Sequence, residues 1–160
     1  PLFYNHKNTG RPLQNGKWFE KFRSNYSDVD NDALYPFGYG LSYTTFQYGD
    51  IVLNTPTMKQ NETITATIQV TNSGKYDGAE VVQLYIRDLV GSITRPVREL
   101  KGFKKILLKA GESKTVSFKI TADLLRFYDY DLKQVTEPGE FDIFIGGSSQ
   151  ATKTARLTLK

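Results

Sequence analysis

Cysteine is absent from all 160 residues, so neither a disulfide framework nor a thiolate metal site can hold this fold together, and the redox compartment is left open. Histidine is nearly absent. His6 is the single one, and a Ser-His-Asp triad or a multi-histidine zinc site could be built only around it, with Ser24, Ser27 or Ser42 as nucleophile. No nucleophile elbow surrounds any of these serines. No stretch approaches the ~20 apolar residues that span a bilayer, and no charged-then-apolar leader follows Pro1. The expectation is a soluble piece of a longer protein.

What is present places the chain among globular proteins: 39% hydrophobic, 13% aromatic and 24% charged residues, enough for one domain with a real core plus an extension. The formal charge is +4, but 17 acidic residues are interspersed with 21 basic ones. Net charge here speaks to solubility and names no partner.

Residues 1–32 carry few apolar positions in any sustained period, and mix Asn5, Asn8, Gly10, Pro12, Asn15 and Gly16 with Asp28, Asp30, Asn31 and Asp32. Such a segment does not offset an ordering entropy of roughly 1 to 2 kcal/mol per residue. It is expected to be extended and to need a partner surface, with Trp18, Phe19 and Phe22 as contact points and a short helical turn around them. From Phe46 onward the period becomes two. Ile64, Ala66, Ile68 and Val70 alternate with threonines and Gln69, the pattern of a half-buried strand with a β-branched outer face. Val82, Leu84 and Ile86 repeat it, as do Val116, Phe118 and Ile120, then Phe141, Ile143 and Ile145, then Ala155, Leu157 and Leu159. Turn signals separate them at Asn72-Ser73-Gly74, Asp77-Gly78, Gly111 and Pro138-Gly139. Seven or eight short strands with no helix beyond a turn near Asp123 to Arg126 predict an all-β, immunoglobulin-like antiparallel β-sandwich. Phe103, Phe118 and Phe141 are expected in its core. The lack of paired cysteines and of a tryptophan after residue 46 favours the fibronectin type III-like variant.

The run Tyr35-Pro36-Phe37-Gly38-Tyr39-Gly40-Leu41-Ser42-Tyr43 places four aromatics, two glycines and a proline in a stretch with no regular period. Burying such rings at roughly 25 cal/mol per Å² is worth several kcal/mol. The stretch therefore reads as an anchor that docks on something. Followed by Thr44-Thr45-Phe46, it resembles the junction of glycoside hydrolase family 3, the β-glucosidase family, where the catalytic part meets a C-terminal fibronectin type III-like domain. Matching segments follow in the family's order: Asn5 to Pro12, Val70 to Gly74, Gly78 to Tyr85, Arg95-Pro96 with Glu99 to Phe103, and Glu137 to Phe141 with Ile145-Gly146.

The resemblance implies a boundary between a tail with its junction (1–43) and a fibronectin type III-like sandwich (44–160). It also implies an accessory role in an enzyme that releases terminal β-glucosyl or β-xylosyl residues with retention. The partners would be the preceding barrel and α/β catalytic domains of the same chain, with an oligosaccharide as the parent's substrate and a periplasmic or secreted location. The family's nucleophilic aspartate lies in the barrel and its acid/base in the following domain, so the fragment itself should be inactive. Trp18, Phe19, Phe22, Tyr35, Phe37, Tyr39 and Tyr43 are the expected domain-interface residues. Uncovered, that surface is expected to be mobile, folded back on the sandwich, or buried in self-association.

Other constellations are weaker. Asp129 and Asp131, on one side of an expected strand, could pair with Asp88 or Asp123, since glycoside hydrolysis needs two facing carboxyls about 5 to 9.5 Å apart; a polar strand edge or turn accounts for them better. Asp28-Val29-Asp30-Asn31-Asp32 starts like a calcium loop but meets Ala33 and Tyr39 where glycine and glutamate belong. Gly146 to Ser149 lacks the lysine and helix of a phosphate loop. Arg95 to Lys109 is basic, but its apolar neighbours Leu100, Phe103, Ile106 and Leu108 read as core and its lysines as a solvated face, which argues against nucleic acid. No cofactor is expected. An independent carbohydrate-binding module, stacking sugars on Trp18 or on Tyr85 with Tyr128 or Tyr130, and an adhesion domain unrelated to hydrolases remain the alternatives.

Overall fold

The computed structural model describes residues 3–7, 32–151 and 153–160. Strands form where the alternation predicts them. In order they are β1 (Phe46–Tyr48), β2 (Val52–Leu53), β3 (Thr57–Met58), β4 (Thr63–Asn72), β5 (Gly78–Asp88), β6 (Glu99–Leu108), β7 (Ser113–Thr121), β8 (Phe127–Tyr128), β9 (Gln134–Val135), β10 (Gly139–Gly146) and β11 (Lys153–Leu159). The one helical element among the described residues is a 3-10 turn at Ala122–Leu125.

Two sheets face each other. In the first, β4 is central, pairing antiparallel with β7 on one side and with β1 and β2 on the other. The second has the order β3-β11-β10-β5-β6. All its pairs are antiparallel except β3 with β11, where Thr57 and Met58 run parallel to Thr158 and Leu159. β8 and β9 form a separate hairpin. The chain crosses between the sheets from β4 to β5, back from β6 to β7, and again before β10, so residues on both inner faces interdigitate in one core. Ile64, Ala66, Ile68 and Val70 from β4 meet Val82, Leu84 and Ile86 from β5 and Ile143 and Ile145 from β10, all nearly inaccessible. Each such side chain contributes on the order of 2 kcal/mol.

One polar side chain sits inside this frame. The Asn72 amide accepts from the Thr44 hydroxyl (2.6 Å) and the Gly74 N–H (3.1 Å), and donates to the carbonyls of Tyr76 (2.8 Å) and Leu108 (3.1 Å). Fully satisfied, it ties the start of the sandwich to the β4–β5 turn and the end of β6.

One expectation is corrected and two open ones are decided. Phe103 lies outside the core, 66% exposed. A bulge shifts the β5–β6 register between Leu84 and Tyr85, so Gly102 faces Phe118 while Phe103 opposes Gln83 on the outer face. Asp129 and Asp131 belong to the turn joining β8 to β9, where the Asp129 carboxylate accepts from the Lys133 N–H at 2.9 Å. And part of the N-terminal segment does find its surface on this chain: Lys7 bridges Pro96 and the Val97 N–H donates to the His6 carbonyl at 2.9 Å.

Candidate domain interface

On β5 the inward positions Val82, Leu84 and Ile86 leave Gln83 and Tyr85 pointing away from the core, where an outer sheet face would meet water. Both are buried all the same, Tyr85 completely. Two segments far apart in sequence cover them. The Tyr4 ring stacks on Phe37, with centroids 4.3 Å apart, and meets Tyr85 edge-on at 5.8 Å. Its hydroxyl oxygen accepts from the Leu100 N–H at 3.3 Å. Such ring pairs add about 1 kcal/mol each beyond the area they bury.

Phe37 is brought there by a turn. The Tyr39 N–H donates to the Pro36 carbonyl at 2.9 Å, and Gly38 has φ of 79°, the conformation that the third position of a type II turn requires of glycine. Space demands glycine as well, since a Cβ on Gly38 would lie 2.1 Å from Gln83 Oε1. The Gln83 amide donates through Nε2 to the carbonyls of Gly38 (3.1 Å) and Gly147 (2.7 Å), while its Oε1 accepts from the Tyr85 hydroxyl at 2.5 Å. The Ser149 N–H donates to the Phe37 carbonyl at 2.8 Å. Arg98 completes the layer. Its guanidinium lies over the Phe144 ring, 4.1 Å from the centroid, and donates to the carbonyls of Ser149 and Ala151. Burial pulls the Arg98 guanidinium below its ordinary value, and burial, with Tyr4 beside it, pushes the Tyr85 phenol up to about 12. Both groups keep their ordinary charge near neutrality, so the layer is electrostatically fixed there.

On both sides of this anchor, as far as Thr44, which Asn72 holds, the chain turns its large side chains outward. Tyr35, Tyr39, Leu41 and Tyr43 are all exposed, Tyr43 at 97%, and the Tyr35 and Tyr39 rings lie 5.4 Å apart. The ridge is held at one end by the Ser149 N–H on the Phe37 carbonyl and at the other by the Thr44 hydroxyl on Asn72, and exposed apolar patches of this kind are a common feature of contact surfaces. Gly38 faces Gln83, while Phe37, stacked on Tyr4, keeps about half of its surface open. Of the expected interface residues, Trp18, Phe19 and Phe22 lie outside the described residues, as do the candidate nucleophiles Ser24 and Ser27 and the acidic run from Asp28 to Asn31. Tyr4, Gln83, Arg98 and Phe144 were not singled out as interface residues. Their only sequence signal is that β5 alternation sends Gln83 and Tyr85 outward near an aromatic-rich segment.

The remaining candidates are accounted for by ordinary contacts. Asp123 pairs with Arg126 at 2.8 Å, Asp131 with Lys133 at 3.8 Å, and Asp88 with Arg95 at 3.6 Å. Arg95 also meets Glu99 at 2.9 Å and lies over the Phe127 ring at 4.2 Å. Burial raises the Asp88 carboxyl against the pull of Arg95. No group of three or more histidines or carboxylates that could hold a metal occurs among the described residues. His6 Nδ1 lies 3.2 Å from the Lys7 carbonyl. Gly147 and Ser149 direct their backbone groups at Gln83 and Phe37. Tyr85 is too buried to stack on a sugar, whereas Tyr128 and Tyr130 are exposed. No helix among the described residues is long and apolar enough to cross a membrane.

Residues 80–149 match the model of the fibronectin type III-like domain. The chain is 49% identical over 159 residues to a periplasmic β-glucosidase of Salmonella typhimurium, covering 99% of itself and 21% of that protein. It is 50% identical over 140 residues to a β-xylosidase of Formosa agariphila, covering 86% of itself and 19% of that protein. The crystal structure of a Listeria innocua β-glucosidase in complex with gluconolactone superposes with a TM-score of 0.92 at 38% identity, over 99% of this chain and 22% of that one. The chain thus spans about a fifth of the length of the curated relatives it matches.

Proposed function

We propose that this chain, whose residues 80–149 match the fibronectin type III-like domain, is the accessory C-terminal part of a glycoside hydrolase family 3 enzyme of the β-glucosidase or β-xylosidase type. Its work is to buttress the catalytic domains of the same polypeptide. The reacting carboxylates belong to those domains, and the parent would release terminal β-glycosyl residues with retention. The observation that carries this reading is the junction, where Phe37 and Gly38 are pinned to the outer sheet face while Tyr35, Tyr39, Leu41 and Tyr43 stand uncovered beside them. Apolar area of that kind is what an interdomain contact buries. Relatives about five times longer than this chain supply the polypeptide to cover it.

On this reading residues 1–43 lead from the catalytic part and residues 44–160 form the sandwich. Tyr35, Phe37, Tyr39 and Tyr43 line the interface, joined by Trp18, Phe19 and Phe22. A periplasmic or secreted location is supported by the relative named as periplasmic. The test is to compare the parent enzyme with a version truncated after Tyr43. Truncation is expected to shorten the half-life of activity on heating, and an unchanged half-life would contradict the buttress. A second reading, a carbohydrate-binding module, draws on the exposed Tyr128 and Tyr130. Titration of the chain with soluble glucans, followed by Trp18 and tyrosine fluorescence, distinguishes the two, because a buttress gives no saturable response.

A further inference from the structure

The Gln83 amide serves three parts of the chain at once. Its Nε2 holds the Gly38 carbonyl of the junction and the Gly147 carbonyl of the β10–β11 loop, and its Oε1 takes the Tyr85 hydroxyl from the same strand. The Tyr85 O–H, committed to Oε1, fixes which end of the amide points at the two carbonyls. Around this point the junction and the β10–β11 loop are joined directly by the Ser149 N–H on the Phe37 carbonyl, and Arg98 clamps the same loop through the Ser149 and Ala151 carbonyls. Gly38 fits because it has no side chain, with its Cα facing Gln83 Oε1 at a distance no Cβ could occupy. Each part is therefore shaped to the others at one side chain.

We propose that Gln83 is the positioning residue of the junction: its carboxamide sets where the aromatic segment lies on the sandwich, and so presents the Tyr39–Tyr43 ridge at a fixed height and angle to the domain it docks on. The inference rests on the accessory reading given above, which names the domain, but the lock itself is a property of this chain. Two carbonyls from different segments, read by one amide, fix the junction in translation along the strand as well as in distance from the sheet. Ring stacking alone would not, because Tyr4 on Phe37 tolerates sliding. The residue touches no substrate and acts only through the segment it holds.

The experiment uses two substitutions, Gln83→Met, which keeps the volume and removes all three hydrogen bonds, and Gly38→Ala, which leaves Gln83 intact and pushes the junction off it. In the 160-residue chain, hydrogen exchange at the Ser149 N–H, which reports the contact to Phe37, should quicken at least tenfold in both variants. Core amides of β4 and β10 should exchange at their unsubstituted rates. Unchanged exchange at Ser149, or a rise matched by the core amides, would overturn the lock, since the first means that Gln83 holds nothing and the second that it is merely part of the core. In the intact parent enzyme Gln83→Met should shorten the half-life of activity on heating at least fivefold with KM for an aryl glycoside unchanged. An unchanged half-life overturns the link from lock to docking. The truncation after Tyr43 is judged separately, so a failed lock and a failed buttress give different results.

Discussion

Replacing Phe37 by alanine tests the capped sheet face most economically, because the ring is the piece of the junction that stacks on Tyr4. A fully buried phenylalanine loses about 3 to 5 kcal/mol on truncation to alanine. Phe37 is 48% exposed, so roughly half of that, about 2 kcal/mol, is expected, including about 1 kcal/mol from the stack on Tyr4. The backbone bond from the Ser149 N–H to the Phe37 carbonyl survives the substitution, which confines the loss to the ring. With a urea slope of about 2 kcal/mol per M, the unfolding midpoint of the chain should fall by about 1 M. Equilibrium unfolding followed by far-UV circular dichroism measures it. A cycle with Tyr4→Ala should return a coupling of about 1 kcal/mol, as rings in contact do. A loss under about 0.5 kcal/mol, or strict additivity of the two substitutions, would refute the idea that these rings form one packed layer over Tyr85.

Asn72→Ala strands the Thr44 hydroxyl, the Gly74 N–H and the carbonyls of Tyr76 and Leu108, and should cost about 3 kcal/mol in the same assay; a loss below 1 kcal/mol would mean that water replaces the amide freely. Phe103→Ser should change stability by less than about 0.5 kcal/mol, while Phe141→Ala should lose about 3 to 5 kcal/mol; equal losses would put Phe103 back in the core. Glu80 accepts from the Tyr48 hydroxyl at 2.5 Å across the two sheets, and burial raises its carboxyl above the ordinary value despite that bond. A raised folded-state value means a contribution present below the unfolded carboxylate range and lost as pH climbs through the folded value. Glu80→Gln removes that dependence, so the variant should gain on the unsubstituted chain between pH 4 and pH 7; thermal melts across that range that show the gap moving the other way would contradict the burial argument.

Much of the fold was legible because β4, β7 and β10 obey a strict period of two, and a half-buried strand leaves no other reading of Ile64-Ala66-Ile68-Val70. β6 was not, for a physical reason. As an edge strand it is covered on one side only, its apolar residues Leu100, Phe103, Ile106 and Leu108 do not alternate, and the bulge opposite Leu84 and Tyr85 decides which of them turn inward. Lys104 shows the same edge logic, with its ammonium 5.7 Å from the Phe118 ring centroid. Strand edge and turn stay open from the sequence at Asp129 to Lys133, since the left-handed position is Leu132, with φ of 59°, and no glycine marks it. At the interface, the density of rings from Tyr35 to Tyr43 announced an anchor, and Gly38 marked the point of close approach. What they approach was not readable, because Tyr4 and Gln83 are joined to them by 33 and 45 positions of chain respectively, and outward-facing Gln83 and Tyr85 look like any solvated strand face until something covers them.

Everything functional here depends on bond cleavage taking place on other polypeptide. Incubating the purified 160-residue chain with aryl β-glucoside and aryl β-xyloside should release no phenol above the buffer rate. Saturable release that disappears when a carboxylate of this chain, such as Asp129 or Asp131, is changed to asparagine would contradict the account.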